Sequence, residues 1–342
     1  MGTDQRKQRK QPSRKSKEPK PRVARKQPPR TEVIVLPGAE EESAAQSQLA
    51  ASVAMEGILR VVRPMLAERD FSSPEEMEAF LESISEDDFL RARAALIAGS
   101  PREEAQQLAY QAMLEVEEDE EAVELARRAF QLDPECVDAL VLLAELTCDD
   151  RVGEFIERLE HAVETGRRVL GEAFFKAHPD DVWEALEARP YLRARLRLAD
   201  ALRVSGRTAE AIQHLQGLLD LNPDDHQRAR EPLLACYLTE GEIRGAVWLL
   251  AQFPEEDCAV FHWGRVLERF LSEDPEGALA ALELARRQNR RVERYLSFRQ
   301  LPPGGPEDSY LPGTEEEAVH CLYVMGLAWA NHSEAVQWVR SH

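Results

Sequence analysis

Two consecutive segments of this chain repeat the same pattern at a separation of 35 residues. Gly206 and Gly241 are 35 residues apart, and so are Ala211 and Ala246. Each glycine follows apolar residues at helical spacing, and each alanine lies inside the next helical segment. Glycine allows a tight turn between two antiparallel helices, and alanine lets the helices approach closely. Because one helix pair cannot bury its apolar face alone, the repeat predicts neighbouring pairs stacked into an array.

The spacing is typical of tetratricopeptide repeats, whose nominal period is about 34 residues. The segment 192–223 ends at Pro223, and an earlier unit has the same ending in Leu132-Asp133-Pro134. Further helix pairs are predicted before and after the two repeating segments. The earlier pair is 136–148 with 151–170, and the later pair is 258–271 with 275–288. The prediction is an all-α, tetratricopeptide-like helical repeat array, an α-solenoid, over residues 101–300.

The charge of the chain is divided unevenly along its length. Residues 1–30 contain 12 lysines and arginines against Asp4 and Glu18, a net charge of +10, whereas the remainder carries −30. We predict that residues 1–48 form a disordered basic arm followed by an acidic linker, because they have little to bury. Residues 49–100 are predicted as a small helical region, and residues 301–342 as a loop with a capping helix. Serine followed by proline predicts helix starts at Ser73 and Ser100.

The sequence contains no recognisable catalytic, nucleotide-binding or metal-binding motif. The five cysteines are widely separated, so we expect them to pack in the interior of a reduced, cytoplasmic protein. The longest late apolar run, residues 322–330, is too short to cross a bilayer. We therefore predict a protein that is not an enzyme and that has no cofactor, no metal and no membrane span.

Arginines in the repeats are the candidate partner-binding residues. Arg193 and Arg197 are four residues apart and fall at positions two and six of a first repeat helix, which line the concave groove in tetratricopeptide arrays. Arg228 takes position two of the next unit, and Arg265 or Arg269 extends the row. A guanidinium group holds a carboxylate bidentately, so the predicted ligand is an acidic peptide or a chain terminus. The alternative is that these arginines form surface ion pairs with neighbours such as Asp200.

One long stretch resembles a known family. The run ARPYLRARLRLADALRVSGRTAEAIQHLQGLLDLNPDD, residues 188–225, is similar to the tetratricopeptide-like core of the bacterial branch of the suppressor-of-tumorigenicity-seven family. Residues 133–146 and 301–321 fit the same layout. The resemblance implies an all-helical repeat protein with no established enzymatic activity. The chain departs from the family after Pro223, where it has Asp225-His226-Gln227-Arg228, and Pro232 lies in the helix that follows.

Two hypotheses of function follow from these features. The first is a non-catalytic interaction scaffold that presents a concave groove to a peptide or protein partner. The alternative is an RNA- or ribosome-associated protein tethered by residues 1–31, whose lysines and arginines suit nucleic-acid phosphates. Because this arm has no interleaved aromatic residues, any such binding is expected to be non-specific for sequence.

Overall fold

The computed structural model describes residues 48–116, 118–148, 151–302, 304–306 and 310–342. These residues form sixteen α-helices and two short 3-10 helices, without a strand among them. The α-helices are α1 (Gln48–Ala67), α2 (Pro74–Ser83), α3 (Glu86–Gly99), α4 (Pro101–Leu114), α5 (Asp119–Leu132), α6 (Val137–Thr147), α7 (Val152–Ala177), α8 (Arg189–Val204), α9 (Thr208–Leu221), α10 (Arg230–Thr239), α11 (Ile243–Gln252), α12 (Ala259–Leu271), α13 (Pro275–Asn289), α14 (Val292–Leu296), α15 (Glu315–Asn331) and α16 (Ser333–Ser341).

The predicted repeat array is confirmed, since α4 to α13 form five successive helix pairs. Each helix packs against the next one along the chain. Ala211 and Ala246 are fully buried where the helices of their pairs approach each other. Gly206 and Gly241 form the turns within these pairs, with φ angles of 82° and 69°. The residues that define the sequence repeat therefore perform the structural tasks expected of them.

Serine caps begin two helices at the predicted positions. The Ser73 hydroxyl accepts a hydrogen bond from the backbone N–H of Glu76, and Pro74 is the first residue of α2. Ser100 accepts from the N–H of Glu103 in the same way at the start of α4. Both serines satisfy a backbone donor that has no partner inside its helix.

The turn after Pro223 differs from a simple repeat turn. Asp225 and Arg228 both adopt positive φ angles, of 51° and 57°. The Asp225 carboxylate accepts hydrogen bonds from the backbone N–H groups of Ala229 and Arg230, at 2.7 and 3.1 Å. Helix α10 therefore begins only at Arg230, and Pro232 lies in its first turn, where proline is tolerated.

Helices from both ends of the described chain cover one face of the array. This face, which we call the first-helix face, is formed by the first helix of each pair: α4, α6, α8, α10 and α12. Helix α1 packs on α4 and reaches α8 through Glu56. Helix α15 packs on α10 and α12, and the Arg203 guanidinium of α8 donates to the carbonyls of Tyr323 and Val324 in α15. The first-helix face is the one predicted to form the concave groove, and the chain's own helices thus bury much of it.

Several sequence predictions fall outside the described residues. The basic arm of residues 1–31 lies there, and so does almost all of the acidic linker that follows it. Pro64 lies inside α1, which continues without interruption from Gln48 to Ala67. Among the helices that are described, none combines the length and the apolar character needed to cross a bilayer.

We expect Gly206→Ala to destabilise the protein by about 1–2 kcal/mol, because an L-residue is strained at this positive φ angle. A Cβ atom at Gly206 would meet nothing within 4 Å, so the cost would come from the backbone alone. Gly99→Ala is the matched control, since a Cβ atom there also meets nothing within 4 Å and the residue lies in a helix without a positive φ. Urea unfolding measures both free energies, and equal effects of the two substitutions would contradict this account.

Candidate functional site

Arg193 lies at the centre of a buried ion-pair network on the first-helix face. Its guanidinium donates to Glu56 of α1 at 2.6 Å and to Asp138 of α6 at 2.5 and 3.0 Å. Tyr110 of α4 donates to Glu56 at 2.5 Å, and Gln106 donates to Asp138 at 2.7 Å. The network joins α1, α4, α6 and α8 through charge-assisted hydrogen bonds.

Arg193 is one of the residues predicted to line the groove, but its side chain is only 7% exposed. Burial alone would lower the pKa of Arg193, but the negative charges of Asp138 and Glu56 outweigh it and raise the pKa well above its usual value. The guanidinium is therefore firmly charged and already holds two carboxylates of its own chain. The sequence predicted that a partner supplies the carboxylate that this guanidinium binds, but Glu56 of α1 and Asp138 of α6 supply it instead.

Arg197, one turn further along α8, remains accessible. Its side chain is 41% exposed and pairs with Glu145 of α6, while Asp200 lies 3.7 Å from it. Tyr323 of α15 donates to Asp200 at 2.7 Å and is also 41% exposed. We call the surface formed by Arg197, Glu145, Asp200 and Tyr323 the Arg197 window. It lies between the turn of α8 that contacts α1 and the turn that contacts α15. The surface pairing considered for Arg197 is present, with Asp200 as the more distant partner.

The two remaining predicted arginines lie elsewhere. Arg228 donates to Glu231 at 2.7 Å and stacks over the Tyr310 ring, with 5.6 Å between the guanidinium carbon and the ring centroid. Arg265 on α12 is half-buried, and no residue in the described ranges forms an ion pair with it. The four arginines therefore do not form one exposed row. Whether Arg197, Arg228 or Arg265 binds a partner stays a prediction.

A second polar cluster surrounds Glu231 at the start of α10. His320 of α15 lies 3.0 Å from the Glu231 carboxylate, and the thiol of Cys258 lies 3.8 Å from it. Glu231, Glu256 and Cys258 place potential metal-ligand atoms within 4.8 Å of one another. Arg228 and Arg230 pair with the two carboxylates, so a cation would have to displace existing partners. Burial raises the pKa of Cys258 well above the usual range, as expected for a packed thiol.

The sequence does contain a signal for the residues that bind Arg193. Glu56 is a single acid in the apolar run LAASVAMEGILRVV, and Asp138 is the first of only two acids in VDALVLLAEL. An isolated carboxylate within an apolar helix needs a buried partner. Pairing it with Arg193 from sequence would have required knowing that α1, α6 and α8 meet.

No protein-family model matches the chain, and no curated protein matches it. Among solved structures, the chain is similar to YrrB, described as a TPR protein with an unusual peptide-binding site. The two share 19% sequence identity over 53% of this chain and 84% of YrrB, with a TM-score of 0.41. A likeness at this TM-score carries no weight, and the helix pairs described above define the chain as a tetratricopeptide-like helical protein.

We expect Arg193→Met to destabilise the protein by about 3–5 kcal/mol, because it leaves the buried Glu56 and Asp138 without their shared cation. Adding Glu56→Gln and Asp138→Asn should recover part of this loss by removing the uncompensated charges. The control is Arg197→Met, which breaks a partly exposed pair and should cost less than about 1 kcal/mol. Urea unfolding of the variants measures these differences. A loss at Arg193 no larger than that at Arg197 would show that the network is not a main support of the fold.

Glu231 gives the fold a predicted pH dependence. Burial alone would raise the pKa of Glu231, but the hydrogen bonds and positive charges of His320 and Arg228 outweigh it and hold the pKa below its usual value. A carboxyl group whose pKa is lower in the folded state adds stability above the unfolded value, and this stability is lost as the pH falls. Glu231→Gln should therefore cost more stability at pH 7 than at pH 3.5. Thermal unfolding across this range tests it, with exposed Glu240→Gln as the control. A cost that does not change with pH contradicts the prediction.

Proposed function

We propose that this protein is a non-catalytic, cytoplasmic interaction scaffold that binds an acidic segment of a partner protein at the Arg197 window. The observation that supports it most directly is that Arg197 is accessible on a face where Arg193 is buried by α1 and Arg203 by α15. Tyr323 adds an exposed aromatic ring next to this guanidinium. Arginine and tyrosine are frequent anchors of protein interfaces.

The ion pair of Arg197 makes it suited to exchange partners. Glu145 and Asp200 are themselves 29% and 22% exposed, so water screens their attraction to the guanidinium. An incoming carboxylate can replace Glu145 without leaving a charge buried and unpaired. The same replacement at Arg193 would leave both Glu56 and Asp138 uncompensated. The proposal therefore assigns ligand binding to Arg197 and a supporting role to Arg193.

The similarity of residues 188–225 to the suppressor-of-tumorigenicity-seven family is consistent with this proposal, and we propose membership of its bacterial branch. The family resemblance implies a helical repeat protein without established enzymatic activity. The scaffold proposal does not depend on it, because it is based on the exposure and the ion pairs of the Arg197 window.

The test is binding of fluorescently labelled acidic peptides with a free carboxyl terminus, measured by fluorescence anisotropy. Arg197→Glu should weaken binding at least about tenfold, because it replaces attraction by repulsion. The matched control is Arg207→Glu, an exposed arginine that pairs with Glu210 and Glu160 away from the window. Equal loss of peptide affinity in both variants would show that only the overall charge of the protein matters, which contradicts the proposal. Unchanged affinity in both variants would contradict it as well.

Deleting residues 1–31 in the same assay separates this proposal from the nucleic-acid alternative. If the window binds the peptide, the deletion leaves peptide affinity unchanged. If the arm binds RNA, the deletion abolishes a strongly salt-dependent binding of labelled RNA that Arg197→Glu does not affect.

A further inference from the structure

Helix α2 has an apolar stripe that no other described helix covers. Met77, Phe80 and Leu81 recur at the spacing of one helix face, and Ile84 continues the stripe directly after the helix. None of the residues of α2 is buried, and α2 packs closely on none of the other helices that the structure describes. An amphipathic helix normally buries its apolar face, so this stripe is available to another molecule.

Arg69 covers one edge of this stripe and leaves the other edge open. Its guanidinium carbon lies 4.1 Å from the centroid of the Phe80 ring. Met77 is 38% exposed, and Leu81 is half-buried. Successive residues are about 100° apart around a helix, so Phe80 and Leu81 lie on opposite edges of the stripe. The accessible edge is therefore the one that Leu81 forms, away from the charge of Arg69.

Glutamates line the same open edge. Glu78 and Glu82 are one turn apart next to Leu81, and both are exposed. Neither forms an ion pair with a residue in the described ranges. Like charges at this spacing repel each other, so a cation placed between them stabilises the helix. We call the surface formed by Met77, Leu81, Glu78 and Glu82 the α2 ridge.

The charge around the α2 ridge selects one class of ligand. Residues 70–88 contain eight acids and no lysine or arginine. A second copy of the chain would bring another eight acids to the same surface, and a nucleic acid or an anionic membrane would bring phosphates. All three are repelled, whereas a basic segment of a protein is attracted.

We propose that the α2 ridge binds a basic amphipathic helix of a partner protein. Aliphatic side chains of that helix pack on Met77 and Leu81, and its lysines or arginines pair with Glu78 and Glu82. A helix fits because its side chains at i, i+3 and i+4 interdigitate with the same spacing on α2. The Ser73 cap stabilises α2 without a partner, which lowers the cost of ordering on binding.

Two matched helical peptides of about 15 residues test the proposal with the full-length protein. Both are rich in alanine and carry leucine at i, i+3, i+4 and i+7, and the flanking positions are lysine in one and glutamate in the other. Fluorescence anisotropy should show the lysine peptide binding at least about tenfold more tightly. Met77→Ser with Leu81→Ser should weaken this binding at least about tenfold, and Glu78→Lys with Glu82→Lys should reverse the preference.

Matched controls separate the ridge from general surface effects. Glu120→Lys with Glu124→Lys makes the same charge change at two exposed glutamates one turn apart on α5, and should keep the preference for lysine. Val247→Ser with Trp248→Ser removes two exposed apolar residues of α11 and should leave binding unchanged. The proposal is overturned if the two peptides bind equally, if the α2 variants have no more effect than these controls, or if the charge reversal leaves the preference intact.

Reversal of the preference cannot come from unfolding of α2, because lysine and glutamate are similarly good helix formers. Arg197→Glu should leave binding of the lysine peptide unchanged, so failure at the α2 ridge is distinguishable from failure at the Arg197 window.

Two further measurements test other occupants of the ridge. Sedimentation should show no dimer that Met77→Ser with Leu81→Ser dissociates, and such a dimer would make a second copy the occupant. Removing residues 1–31 should change the affinity for the lysine peptide less than about threefold at about 0.15 M salt, where distant charges are screened. A larger gain would make the chain's own basic residues the occupant, and either result would overturn the proposal.

Discussion

The buried contact of Arg193 with Glu56 and Asp138 is the interaction on which the described structure most depends. Three charged groups are taken out of water at once, and each is satisfied only while the others stay in place. Because Glu56 belongs to α1 and Asp138 to α6, the network fixes α1 on the face of the repeats. The position of α1 in turn determines which part of that face stays accessible, and Arg197 is at its margin.

The repeat itself could be predicted from sequence because its determinants are local. The turn at Gly206 needs a positive φ angle, the packing at Ala211 needs a small side chain, and Ser100 with Pro101 starts a helix without help from distant residues. Each requirement falls within a few positions of the chain, so periodicity and capping rules detect it. The same rules do not say which helix outside the array packs on it.

The candidate site was predicted less well, for a physical reason. Arg193 and Arg197 are both arginines and lie one turn apart on one helix, so the sequence pattern predicts the same role for both. They differ because Glu56, 137 positions before Arg193 in the chain, and the buried Asp138 contact Arg193 and not Arg197. Burial and pairing of this kind depend on tertiary contacts. The role of a surface-type residue in a helical array is therefore determined by distant parts of the chain.

The covering of the first-helix face by α1 and α15 also has a consequence for how the chain acquires its fold. In a simple repeat array every contact is between neighbouring units, so folding spreads quickly from any of them. Here Arg203 bonds a carbonyl 121 positions away, and Arg193 bonds a carboxylate 137 positions away. Such contacts raise the contact order above that of an open array and slow folding. On the ribosome, α8 and α10 are synthesised well before α15. The apolar side chains that α15 covers therefore stay exposed until α15 has been synthesised.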